Sequence, residues 1–224
     1  MKMALESDGK RKSKRRVVKW AILGFFGLVV ALFFARGLIV ASDSSDRATC
    51  KNNLKQIVLA LLMYVGDHEG EFPPGETAAQ VFTELIEAGY LKDGPMGKYH
   101  RYPVYVCPGA KQEVKEWKRT GKLTEETCSY EWVGGLKPDS DLRFMVCFDK
   151  SPDNHWTRLL GITLSGGKGR NVLFVDGHVS WIGEESFQER MEWQMEMLRR
   201  MEEGGDYVDW YDWRDEKGGG DARD

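Results

Sequence analysis

Asp149, His155, Asp176 and His178 are the residue types from which a reactive centre could be built. Carboxylates and neutral imidazoles hold divalent cations, and a held cation with an open position activates water. The four residues are scattered, however, and show no recurrent ligand spacing. The competing reading is simpler. Asp176 with Gly177 supplies turn geometry, and His178 opens a strand with its ring at the surface or hydrogen-bonded to Asn171. A glycine-rich run ending in Gly166-Gly167-Lys168-Gly169 is not a phosphate loop, because Ile162 stands where the first glycine is needed and Gly169 replaces the Ser or Thr. No Ser-His-Asp or Cys-His nucleophile is visible at local spacing. The expectation is therefore no catalytic residue, no cofactor and no metal. The alternative is a membrane-tethered divalent-metal-binding module or hydrolase centred on His155, Asp176 and His178.

Four cysteines form the second set with chemistry: Cys50, Cys107, Cys128 and Cys147. An even count in an oxidising compartment reads as disulfides, and three pairings are open. Cys128 and Cys147 lie in successive strand-like runs, which favours Cys128 with Cys147 and Cys50 with Cys107. There is no C-x-x-C and no zinc spacing among them.

The element that must position these residues is N-terminal. Residues 10–16 carry Lys10, Arg11, Lys12, Lys14, Arg15 and Arg16; residues 17–34 are then apolar except for Lys19, and the run resumes at 38–41 beyond Arg36. A helical run of about 18 to 24 residues spans the ~30 Å hydrocarbon layer. Lys19 and Arg36 lie near its ends, where long side chains reach the headgroups. The basic cluster precedes the span and acidic Asp43 and Asp46 follow it, so the positive-inside rule predicts a cytoplasmic N-terminus and a domain outside. A signal peptide cleaved after Ala41 would have an apolar core of about 7–15 residues, shorter than this one. The lipid bilayer is thus the first expected partner. Nucleic acid is not, since no basic face with interleaved aromatics follows the leader.

Beyond the span, Cys50, Leu54, Ile57, Val58, Leu61, Leu62 and Val65 repeat at three- and four-residue spacing, so the same helix continues as an amphipathic extension. Gly66, Gly70, Pro73 and Pro74 end it. The rest reads as a small α+β head. Helices are expected over 77–88 and 111–119, strands over 99–107, 127–133 and 142–148, and a loop over 149–170. A hairpin is expected over 171–182, with a type I′ turn at Asp176-Gly177 and Val172, Phe174, Val179 and Trp181 on one face. A last helix over 184–203 shows Phe187, Met191, Met195, Leu198 and Met201 as a packing stripe. Residues 204–224 are acidic and read as a disordered or loosely docked tail.

Three stretches carry a resemblance. Cys50-Lys51-Asn52-Asn53-Leu54-Lys55-Gln56-Ile57, continuing to Tyr64 and Phe72-Pro73-Pro74, is similar to the opening of a bacterial pseudopilin-like, prepilin-type family of unknown function. Val106-Cys107-Pro108 looks like its mid-chain Cys-Pro element. Asn171-Val172-Leu173-Phe174-Val175-Asp176-Gly177-His178-Val179 resembles its C-terminal signature, in which a His precedes the Asp-Gly pair by nine intervening residues. Here Gly166 stands at that position, and His155 would be the displaced counterpart. Gly24-Phe25 resembles a prepilin cleavage site, but Val29 occupies the place of the expected Glu.

The resemblance implies a pilin-like α+β fold, with a long N-terminal transmembrane-plus-amphipathic helix packed on a small antiparallel sheet. It also implies pilin-like or secretion-system partners, type II secretion-like, at a bacterial inner membrane. The expected layout is a basic leader (1–16), an anchor (17–41), its extension (42–66), a periplasmic or otherwise extracytoplasmic head (67–183), a helix (184–203) and a tail (204–224). Self-association would run through the anchor at Gly24 and Gly27, and the role would be structural rather than enzymatic.

Overall fold

The computed structural model describes residues 2–95, 101–155, 157–159, 162–165 and 167–216. It divides into two compact units, Met1–Ser42 and Asp43–Asp224. Helix α1 runs over Lys2–Asp67. In the first unit Trp20, Phe25, Phe26, Leu32, Phe33 and Leu38 are all exposed, on a helix long and apolar enough to cross a membrane. A helix apolar on every side is at home in hydrocarbon, not in water.

The second unit is α+β and pilin-like in layout. Its elements after α1 are α2 (Ala78–Glu87), α3 (Lys111–Thr120), β1 (Tyr130–Trp132), β2 (Met145–Asp149), β3 (Thr157–Leu159), β4 (Ile162–Ser165), β5 (Gly169–Phe174), β6 (Val179–Gly183), α4 (Glu184–Glu202) and α5 (Trp210–Glu216). The strands make an antiparallel sheet in the order β1-β2-β5-β6 and a separate β3-β4 pair.

Within this unit α1 buries Cys50, Asn53, Leu54, Ile57, Leu61 and Tyr64 on one face. Leu62 was expected on that face but is exposed, and Val58 and Val65 are half-buried. The 3.6-residue turn places Ala60 and Tyr64 on the buried face in their stead, Tyr64 against His68 and Tyr90. The helix ends where Glu69 and Gly70 take positive φ and the Gly70 amide returns to the Val65 carbonyl. Thr77 caps α2, its hydroxyl accepting from the Gln80 amide.

Three expectations need correcting. Residues 101–107 form turns rather than a strand, because Pro103 and Pro108 withhold the amides a ladder needs, and the Val106 and Ala110 amides close tight turns instead. Residues 99 and 100 lie outside the described residues. The stretch over 149–170 is not all loop, since β3 and β4 pair there; Trp156 and Gly166 lie outside the described residues. The hairpin turn is not type I′, which needs two positive φ angles. Only Gly177 has one, with its amide bonded to the Phe174 carbonyl and the Phe174 amide to that of His178, the pattern of a type I turn with a glycine bulge.

The central strands β2 and β5 are buried on both faces. Cys147 and Leu173 share a cluster with α1 and α2. Met145, Phe148, Val172 and Phe174 pack with Phe187 of α4 on the other side. The strict in–out alternation expected of the hairpin is therefore lost on β5. On α4 the buried face is Phe187, Trp193, Gln194 and Met197, while Met195 and Met201 are exposed. The buried stripe is rotated because Trp193 inserts against Phe144.

The C-terminal segment as far as residue 216 is docked, not loose; residues 217–224 lie outside the described residues. Trp210 and Trp213 are buried, Trp210 packs edge-on to Trp193, and the Trp193 indole donates to the Val208 carbonyl at 3.0 Å. Arg143 ties the segment down through Asp141, Tyr207 and Asp209. Hydrogen bonding from Arg143 holds the Asp141 carboxyl down at about 2, against partial burial, which pushes it up from 3.8. A depressed folded-state value stabilises the fold above pH ~4, and that contribution disappears as pH falls towards 2. Because Asp141 is only partly buried, solvent screening leaves about 1 kcal/mol. Tryptophan fluorescence of the full chain should show docking of the segment weaken by about 1 kcal/mol between about pH 4 and 2, and Arg143→Ala should remove that pH dependence and weaken docking at neutral pH.

Candidate functional site

Cys50 on α1 and Cys107 in the loop before α3 are joined by a disulfide, with Cα atoms 5.1 Å apart and a sequence separation of 57. Both are fully buried. The loop is held from two sides: the Cys107 amide donates to the Ser129 hydroxyl at 2.9 Å, and the Asn53 amide donates to the Val106 carbonyl at 3.4 Å. Asn53 thus acts inside the fold, while its neighbour Asn52 is exposed.

The disulfide has two polar neighbours. His155 Nε2 lies 3.5 Å from Cys107 Sγ and 3.5 Å from Asp149 Oδ2. His155 is 2% exposed and Asp149 0%. Asp149 ends β2 and is oriented by Asn171 of β5, whose backbone and side-chain amides donate to Oδ2 at 2.9 and 2.8 Å. Arg170 donates to the Asp149 and Lys150 carbonyls and pairs with Glu184, over the face of Phe187. Trp181 meets the His155 ring edge-on, and Arg47 lies 5.0 Å above that indole.

Gly109 is what lets the two loops close. A Cβ there would lie 2.3 Å from the Asn154 carbonyl oxygen and 2.9 Å from His155 Nδ1. Beside the site is a cleft of about 360 Å³ lined by Asp43, Asp46, Pro108, Gly109, Asp153 and Asn154, among others. Burial pushes the Asp46 carboxyl up; His155 pulls it down and Asp43 adds to the rise.

The expected constellation is therefore divided. Asp149 and His155 come together, joined by the disulfide that sequence reasoning had kept apart from them. Asp176 and His178 pair with each other at the exposed hairpin tip, with His178 Nδ1 2.5 Å from Asp176 Oδ1, its amide bonded to the same oxygen and its ring stacked on Phe174. Asn171 binds Asp149 and not His178. Along β5 the two pairs are roughly 15 Å apart, so His155, Asp176 and His178 do not assemble into one centre.

Cys50 with Cys107 is the pairing expected. Cys128 with Cys147 is not formed: both are buried thiols, and Cys147 faces Trp132 in the ladder rather than Cys128. Burial pushes the Cys128 thiol up to about 12, so neither reactivity nor metal affinity is favoured there.

Among known proteins, residues 46–90 match a family described as a protein of unknown function (DUF1559). The chain is similar to that family over this segment, which holds the buried face of α1, Cys50 and α2. No curated protein and no solved structure matches the chain.

Two substitutions test the packing. Replacing both Cys50 and Cys107 by Ser should lower the stability of the second unit by about 4 kcal/mol, from the loop entropy of a span this long. Gly109→Ala should lower it by about 1–3 kcal/mol, because the obstacle is backbone. Urea denaturation of the full chain in detergent, followed by tryptophan fluorescence, measures both.

Proposed function

We propose that the protein is a membrane-anchored, pseudopilin-like structural protein whose second unit stands outside the cytoplasm and whose role is assembly rather than catalysis. The observation that carries this reading is α1 itself. One helix supplies an apolar segment suited to hydrocarbon and then, without interruption, the central buried face of an α+β unit. The similarity of residues 46–90 to a family of unknown function supports it, because those residues are where the helix enters that unit. The disulfide supports an oxidising location for the head, and the basic leader supports a cytoplasmic N-terminus.

Leu59, Leu62 and Met63 of α1 are exposed in the second unit. They form an apolar patch on the second unit that suits contact with the helix of a neighbouring pilin-like or secretion-system protein, or of a second copy. Gly24 and Gly27 meet no other group within 4 Å of an added Cβ, which suits close helix approach in the bilayer. On this reading the bacterial inner membrane holds the chain by a single pass.

Intact mass of the protein extracted from native membranes without reductant tests the anchor. The expected value is the full chain less about two hydrogens, for one disulfide. Loss of everything through Ala41 would exclude an anchor, and loss through Gly24 would mean prepilin-type processing and entry into a filament. In the same membranes, a photo-crosslinker at Leu62 should trap a helical partner, and Met63→Glu should reduce that adduct several-fold.

A further inference from the structure

The disulfide, His155 and Asp149 form a set whose chemistry changes once the S–S bond is broken. We propose that the reduced protein binds one divalent ion of the zinc class through Cys50, Cys107, His155 and Asp149, the metal replacing the disulfide as the link between α1 and the Cys107 loop. This goes beyond the assembly role and does not depend on it.

One ligand atom from each of the four residues lies within 4.8 Å of all the others. A tetrahedral site with Zn–S of about 2.3 Å and Zn–N or Zn–O of about 2.0–2.2 Å has S···N edges near 3.5 Å and N···O edges near 3.4 Å. The Cys107 Sγ–His155 Nε2 and His155 Nε2–Asp149 Oδ2 separations are both 3.5 Å. Two edges of the tetrahedron are thus present before any metal arrives. The bonded sulfur pair is the edge that does not fit, since two metal-bound thiolates sit about 3.8 Å apart. Reduction opens it.

An independent observation points the same way. Asp149 Oδ1 is buried with no hydrogen-bond partner among the described residues, so the carboxylate beside His155 Nε2 keeps an unused oxygen. A buried carboxylate with an unused oxygen is costly unless a cation or donor meets it. Asn171 holds Oδ2, the oxygen 3.5 Å from His155 Nε2, and so orients the carboxylate towards the ring, as outer-shell partners of metal-binding carboxylates do.

The chemistry balances. A dithiol reductant gives two electrons and two protons to the S–S bond, leaving two thiols here and a disulfide on the reductant. The ion then displaces the two thiol protons, and neutral His155 with the Asp149 carboxylate completes the shell. A disulfide oxidant reverses both steps and expels the ion.

The test uses the full chain in detergent, reduced with a dithiol, freed of it under argon and titrated with Co²⁺ alone. One equivalent per chain should bind, with thiolate-to-cobalt charge-transfer absorption and the intense d–d bands of tetrahedral Co²⁺. The oxidised protein should show neither. His155→Ala should abolish the tetrahedral spectrum, and Asn171→Ala should weaken binding about 10–100-fold. Cys128→Ser with Cys147→Ser, checked as folded by circular dichroism in the oxidised state, should leave the spectrum unchanged. Absence of these bands in the reduced wild type, loss of its tertiary structure on reduction, or an unaltered spectrum in His155→Ala overturns the proposal.

Discussion

The link between Cys50 and Cys107 ties the buried face of α1 to the loop before α3 and stabilises the second unit against unfolding. Cys50 opens the buried face of the helix. Leu54, Ile57 and Leu61 then fall beneath the sheet at successive turns. Each is worth about 1.5–3 kcal/mol in buried apolar surface. The bond also draws in the loop before α3, which has no ladder of its own and would otherwise leave Tyr105, Val106 and Cys107 without a wall. Gly109 gives the His155 loop room to close over it.

Polar groups inside the unit are handled in two ways. Where they serve the fold, they are paired. Gln194 of α4 both accepts from the Met145 amide and donates to the Met145 carbonyl, at 2.7 and 2.9 Å. It thereby closes the part of β2 that the short strand β1 does not reach. Arg170 likewise satisfies two carbonyls and one carboxylate at the end of the sheet. Around the disulfide the pattern changes, and buried atoms of Asp149, Asn171 and His155 lack partners among the described residues. Polar groups deep in a protein are normally satisfied, so three such residues gathered in one place mark a polar cluster beside the disulfide.

Much of the architecture was legible because its signals are local. The apolar run, the three- and four-residue repeat beyond it and the turn at Asp176-Gly177 each depend on neighbours within a few positions. The failures are equally specific. The loop at 101–107 has strand-like composition, but its prolines override it. The stripe of methionines on α4 looked inward, yet Trp193 and Gln194 claimed the buried side. The tail at 204–216 reads as acidic and loose, and only its tryptophans, packing on a distant helix, hold it. Asp149 and His155 were singled out by residue type and Asn53 only as part of the family-like stretch, while Ser129 and Gly109 carried no signal that spacing could reveal.

By itself the sequence determined that one helix is apolar enough for a membrane and then amphipathic, and that an α+β unit with a hairpin at Asp176-Gly177 follows it. Those properties arise from periodicity and turn chemistry, which act over a few residues. Only the tertiary structure decided which cysteines pair and that His155 joins Asp149 rather than His178. It also decided that Phe187 of α4 covers the second face of the sheet and that the C-terminal tryptophans pack against Trp193. These depend on strand register and on contacts between residues far apart in the chain. A register shift of one position would have turned Asp149 away from His155 and left the sulfurs with apolar neighbours.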